Sequence, residues 1–185
     1  LLSAVSVVPQ KAVLFEGTIR SNLLMGNPNA SEAELFSALE TAQAAEIVRT
    51  KPNGIDEPVL RGGSNFSGGQ KQRLSIARAL VHGGRILILD DSASALDFAT
   101  DAKLRAAIRK LSPAPTTFIV SQRAASVMFA DFIIVLDEGR AVGQGTHEEL
   151  LRNCAVYREI YASQFPDEAA KLSIPNTTPE GDAAK

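Results

Sequence analysis

The run Ile86-Leu87-Ile88-Leu89-Asp90-Asp91 constrains this chain most. Its four leading residues are all apolar, with no polar alternation, so the run predicts a strand buried on both faces. Such strands belong to mostly parallel sheets with helices packed on either side. Two carboxylates follow at once, at the carboxyl end of the strand, where open α/β sheets bind their ligands. One carboxylate there can hold Mg²⁺ through water. The other can orient or activate an attacking water. From these residues alone, a plain strand followed by an acidic turn reads equally well.

The flanking segments alternate strand and helix, which predicts an α/β domain. Val5 to Val8 is a strand end stopped by Pro9. Ser31 with Glu34 forms a capping box that opens a helix with Leu35, Ala38, Leu39 and Ala42 on one stripe, ended by Lys51-Pro52-Asn53-Gly54. Gln70 to Val81 is a helix closed by His82-Gly83-Gly84. Thr100 to Leu111 is another, its Arg105 and Arg109 read as a solvated face. Thr117 to Val120 and Phe132 to Leu136 read as strands, followed by Arg140 to Val142 after an Asp137-Glu138-Gly139 turn. Thr146 with Glu149 starts a helix through Leu151, and a short helix covers Val156 to Ser163. Residues 31–81 contain helices and no clear strand, which predicts a helical subdomain over about residues 15–82. From Phe165 onward Pro, Asp, Glu, Thr and Ala dominate, and disorder is expected over 165–185.

A second chemical signal lies at Ser67-Gly68-Gly69-Gln70. Ser67 is placed as a helix N-cap. The two glycines expose backbone N–H groups at the positive end of the helix dipole, with Lys71 and Arg73 nearby. That suits a phosphate, although an ordinary glycine-rich cap has the same composition.

Net charge is −2, so no global basic field points to nucleic acid or to an acidic membrane surface. The single cysteine, Cys154, cannot form an internal disulfide, which fits a reducing, cytosol-facing compartment. No stretch approaches the ~20 apolar residues of a membrane helix. The sequence starts at Leu1 rather than Met, as expected of a fragment or processed product. His82 and His147 lie far apart with no ligand cluster around them, and Tyr157 and Tyr161 are spaced to pack.

Order and spacing add what single motifs do not. Val7-Val8-Pro9-Gln10 resembles the Q-loop of ATP-binding cassettes, and Phe66-Ser67-Gly68-Gly69-Gln70-Lys71-Gln72-Arg73 resembles their signature motif, with Phe where Leu is usual. Ile86 to Asp91 resembles Walker B, Ser94-Ala95-Leu96-Asp97 the D-loop, and Ile119-Val120-Ser121-Gln122-Arg123 falls at the switch loop. The resemblance covers residues 1–164. Lys11 to Arg20 looks like the exporter subclass, in which membrane and nucleotide domains often share one polypeptide.

This resemblance implies a P-loop NTPase-like fold of ABC ATPase type, with the helical subdomain inserted in it. It implies ATP and Mg²⁺ as cofactors. It also implies a second nucleotide-binding domain packed head to tail, transmembrane domains as partners, and a place at the cytoplasmic face of the membrane. Gln10 and Asp90 are implied to hold Mg²⁺. Gln10 also senses the γ-phosphate and links nucleotide binding to the membrane domain. Ser67, Gly68, Gly69 and Gln70 are implied to meet the ATP of the partner domain, and Asp97 to communicate across the dimer.

Three departures stand out. Gly-x-x-x-x-Gly-Lys-Ser/Thr occurs nowhere in the sequence, so the Walker A loop and N-terminal strands of the family are expected before residue 1. The catalytic position after Asp90 is Asp91, a shorter carboxylate than the usual Glu. Gln122 replaces the switch His, and its amide neither titrates nor carries charge. The second and third predict a degenerate ATP site in one half of a heterodimer, and the first predicts that the chain is inactive alone. The alternatives are a regulatory module that binds ATP with little hydrolysis, and a soluble cassette ATPase outside transport.

Overall fold

The structure is a computed structural model and describes residues 2–171. The chain divides into two units, residues 1–122 and 123–185. In chain order the first holds β1 (Val5–Val8), β2 (Gly17–Thr18), α1 (Ile19–Leu24), α2 (Glu32–Thr41), α3 (Ala45–Arg49), β3 (Pro58–Val59), α4 (Gly68–His82), β4 (Ile86–Asp90), α5 (Phe98–Arg109) and β5 (Thr116–Val120).

Three of these strands form a parallel sheet in the order β1-β4-β5. Val8 pairs with Leu89, and Asp90 with Val120, so all three strands run out at one edge. The mixed α/β fold with a parallel sheet is the expected one. Burial on both faces of β4 is not. Leu87 and Leu89 are buried, whereas Ile86 and Ile88 are only half-covered. Their neighbours Val7 and Phe118 are 55% and 56% exposed on that same face. The covered face carries Val8, Leu87 and Leu89 into a core with Leu74, Ile76 and Ala77 of α4 and Leu104 and Ile108 of α5.

Helix α4 follows directly from its ends. Ser67 accepts from the Gln70 N–H, Gln70 reaches back to the Ser67 N–H, and Gly83 takes the left-handed conformation at φ 69°. The expected helix after Ser31 starts with its capping box but breaks early. Gln43, at φ 57°, separates α2 from α3. Residues 31–81 do contain a strand, because β3 pairs antiparallel with β2. Arg105 is not solvated: it pairs with buried Asp101 at 3.1 Å and is only 12% exposed. One helical turn separates the two, and their charges compensate as they enter the core together.

The second unit holds α6 (Ala124–Val127), β6 (Ile133–Asp137), β7 (Arg140–Gly145), α7 (His147–Asn153), α8 (Ala155–Gln164) and α9 (Pro166–Lys171). β6 and β7 make a hairpin whose turn places Glu138 and Gly139 at positive φ. Ile133, Val135, Leu150, Cys154 and Tyr157 form its core. Helix α9 overturns the expected onset of disorder at residue 165, since Ala169 is buried and Tyr161 donates to Glu168 at 2.6 Å. The rest of the expected tail, residues 172–185, lies outside the described residues.

His147 sits against Tyr157, with Nδ1 2.8 Å from the phenol oxygen, and against the Tyr161 ring. Burial pushes its imidazole below the usual 6.5, although Glu148 and Glu168 pull it upward. The unfolded chain therefore takes up the proton first. Stability is lost as pH falls through about 6.5 toward the lower folded value. Melting temperature should accordingly fall more between about pH 7.5 and pH 5.5 in the wild type than in His147→Phe. Equal slopes would contradict the burial of a neutral imidazole.

Candidate functional site

The parallel sheet brings the predicted acidic and amide residues to one edge. Asp90 ends β4 and is exposed. Gln10 leaves the same edge just after β1, and its Nε2 donates to Asp91 Oδ2 at 3.1 Å across 81 residues of sequence. The Asp91 backbone is tied on both sides. Its N–H donates to Val120 O at 2.9 Å, and its carbonyl accepts from the Ser94 N–H and hydroxyl at 3.1 and 2.8 Å. These bonds hold it at φ 42°, a conformation that non-glycine residues adopt only when the surroundings impose it. Gln122 follows β5 by the same edge and is exposed.

Ser67, Gly68, Gly69 and Gln70 form a second group. The Gln70 N–H lies 3.3 Å from Ser67 Oγ, and Gln70 Oε1 accepts from the Ser67 N–H at 3.0 Å, so Gln70 is used in closing the cap. The first N–H groups of the helix have no carbonyl behind them and point outward. A Cβ built on Gly68 meets nothing within 4 Å, whereas one on Gly69 would stand 3.0 Å from Ala95 O. The glycine turn therefore backs directly onto the Ser94–Asp97 stretch. Asp97 caps α5, with Thr100 N–H and Oγ each donating to it at 2.8 Å. Those bonds, the backbone one foremost, hold its carboxyl below the usual aspartate range.

Among the described residues no group of three or more His, Cys, Asp or Glu side chains converges. A cation at Asp90 would rest on one or two protein oxygens, water and phosphate. Mg²⁺ binds in that way. The helix α4 terminus fits one face of a phosphate, but the sequence offers no second cradle of Gly-x-x-x-x-Gly-Lys type.

Sequence reading missed two cations. Arg73, taken as charge beside the glycine turn, donates to Gln43 O at 2.8 Å and Gly69 O at 3.3 Å. Arg78 donates to Val13 O at 3.0 Å and lies over the Phe15 ring. Its burial lowers its pKa. Arg78 and His82 line an open hollow of about 320 Å³ with Val5, Val7, Phe15 and Met25. Arg78 Nη1 and His82 Nε2 are buried there without a partner. No sequence spacing announces this group, since its members come from β1, the segment before β2, the residue that caps α1, and α4.

The profile described as "ABC transporter" matches residues 1–94, just over half the chain. The chain belongs to the ABC transporter family. Its relatives include the uncharacterized ABC transporter ATP-binding protein YfiB of Bacillus subtilis, 46% identical over 90% of this chain and 29% of that protein. The ATP-dependent lipid A-core flippase of Saccharophagus degradans is 38% identical over 87% of this chain and 28% of its own length. A bacterial Atm1-family ABC exporter, solved with ATP bound, superposes with a TM-score of 0.84 at 39% identity, over 88% of this chain and 29% of that one. This ABC chain thus spans less than a third of these relatives. No helix among its described residues is long and apolar enough to cross a membrane.

The two signature glycines should behave oppositely in this ABC domain. Gly68→Ala fits the open space at the first position of α4, so its denaturation midpoint should hold or rise slightly. Gly69→Ala forces the Ala95 carbonyl to move, so its denaturation midpoint should fall. Equal midpoints for the two variants would show that the glycine turn does not pack against Ala95.

Proposed function

We propose that this chain supplies half of the paired ATP machinery of an ABC exporter, in which MgATP binding and hydrolysis drive transport across a membrane. The observation that carries this reading is the Gln10–Asp91 bond beside Asp90, which gathers the Q-loop and Walker B residues at one sheet edge. In this reading Asp90 and Gln10 would hold Mg²⁺, which supplies charge neutralisation on the phosphates. Ser67 and the N–H groups of Gly68 and Gly69 face the γ-phosphate of an ATP held by a second nucleotide-binding domain. Asp97 stands at the dimer face. Gln70 serves the same turn through its cap.

The exposed sheet face of Val7, Phe118 and Val120 supports a longer polypeptide, because parallel sheets are covered on both sides. The hollow lined by Phe15, Met25, Arg78 and His82 supports contact with the transmembrane domains. Exposed Phe15 and Met25 and two unpartnered polar atoms suit the end of a docked segment. The domain itself sits at the cytoplasmic face.

A regulatory role at this chain's own site is favoured by one observation. The short Asp91 carboxylate is already engaged by Gln10, and Gln122 carries no charge. We therefore place this chain in a heterodimer, with weak hydrolysis at its own site and a signature that completes the partner's.

Two variants test these levels separately in the full-length complex. Gly68→Asp has room and suits the helix dipole, so folding should survive, while its carboxylate repels phosphate. Turnover at the partner's site should drop on the order of 100-fold, as for loss of a preorganised donor. Undiminished turnover would refute the signature assignment. Asp91→Glu with Gln122→His should raise turnover at this chain's own site, and no gain would argue against a degenerate site.

A further inference from the structure

Arg73 lies one turn after Gly69 on α4, and its guanidinium bridges the glycine turn and the turn at Gln43. Its Nη1 donates to Gln43 O at 2.8 Å, 30 residues away, while Nε donates to Gly69 O at 3.3 Å. Gln43 is the left-handed residue that ends α2. Its N–H bonds Glu40 O at 3.0 Å, and the Ala44 N–H bonds Leu39 O at 2.7 Å. The Gln43 carbonyl is therefore turned out of both helices and is taken up by Arg73.

The second bond reaches further than it first shows. Gly69 O and the Gln70 N–H belong to one rigid peptide plane. That N–H is the donor to Ser67 Oγ at 3.3 Å. A continuous chain thus runs from Gln43 O through the guanidinium to the Gly69–Gln70 peptide and on to Ser67. On the far side, Gly69 is backed by Ala95 O. The two acceptors lie in different directions, and a planar guanidinium with separate N–H vectors meets both, whereas an ammonium is a single point.

We infer that Arg73 is a positioning residue that fixes the Ser67–Gly69 turn in the direction needed to face phosphate, by tethering it to the turn between α2 and α3. This inference rests on the reading of that turn as the phosphate contact. Arg73 itself touches no reactant. Any shift of the α2–α3 turn is passed to Ser67 through the same chain of bonds, so the helical layer and the phosphate-facing turn move as one piece.

The test uses the full-length exporter with its partner, in wild-type form and as Arg73→Met, Arg73→Lys and Arg73→Met with Gln43→Gly. Glycine at 43 accepts the left-handed conformation freely, so the double variant removes turn strain without restoring the tether. Three quantities are read: melting temperature, deuterium uptake of residues 67–70 by mass spectrometry, and KM for ATP against kcat. In Arg73→Met, uptake at 67–70 should quicken and KM should rise on the order of tenfold, the loss of about one charged hydrogen bond. Arg73→Lys should lie between it and wild type. The double variant should regain melting temperature but neither slow uptake nor low KM. Recovery of all three in the double variant would overturn the inference and leave Arg73 a stabiliser of the Gln43 turn. Unchanged uptake and KM in a folded Arg73→Met would overturn it too. If Gly68→Asp also leaves ATP turnover intact, the phosphate reading itself has failed, a result distinct from loss of the tether alone.

Discussion

Parallel pairing of β1, β4 and β5 is the constraint on which the rest of the molecule depends. Strands that run the same way deliver their following loops to the same edge. Gln10, the Asp90–Asp91 pair and Gln122 therefore meet there despite their distance in sequence. The ladder does more than align them. Its last bond, from Asp91 N–H to Val120 O, holds Asp91 in a left-handed conformation that turns its side chain toward Gln10. The carboxylate chemistry of the site is thus set by backbone pairing before any side chain is chosen.

Helix α4 provides the complementary half. Its N-terminus offers N–H groups at the positive end of a 15-residue dipole, and its apolar residues lock it into the core beside the sheet. Ser67 and Gln70 close the cap without occupying the first N–H groups. Ala95 on one side and Arg73 on the other fix Gly69. The outward-facing turn is therefore held by a rigid support, the arrangement required where a few tenths of an ångström decide how well a charge is met.

Much of this was legible in the sequence because it is local. The Ser67 cap, the Ser31–Glu34 and Thr146–Glu149 boxes and the Gly83 cap each announce themselves within four residues, and all four form as read. The apolar run before Asp90 announced its strand and the sheet edge at which Asp90 stands. What escaped is non-local or too short to show a period. The break at Gln43 has no glycine to mark it, and one of its supports, Arg73, lies 30 residues on. The β2–β3 ladder is only two residues long in each strand, and α1 has only six residues to show an apolar stripe. Arg105 looked solvated because its burial is made tolerable by Asp101, which a pattern of apolar spacing does not register. The half-bare face of β4 escaped for a related reason: the sequence of a strand states that it wants cover, not whether the cover is present.

The central claim, that this chain contributes to shared ATP sites and holds no complete phosphate cradle of its own, is tested most directly by calorimetric titration of MgATP into the 185-residue chain alone. The account predicts no heat of binding at micromolar nucleotide. Clear saturation at micromolar ATP would show a cradle that Gln10, Asp90 and the α4 terminus do not explain, and would contradict it.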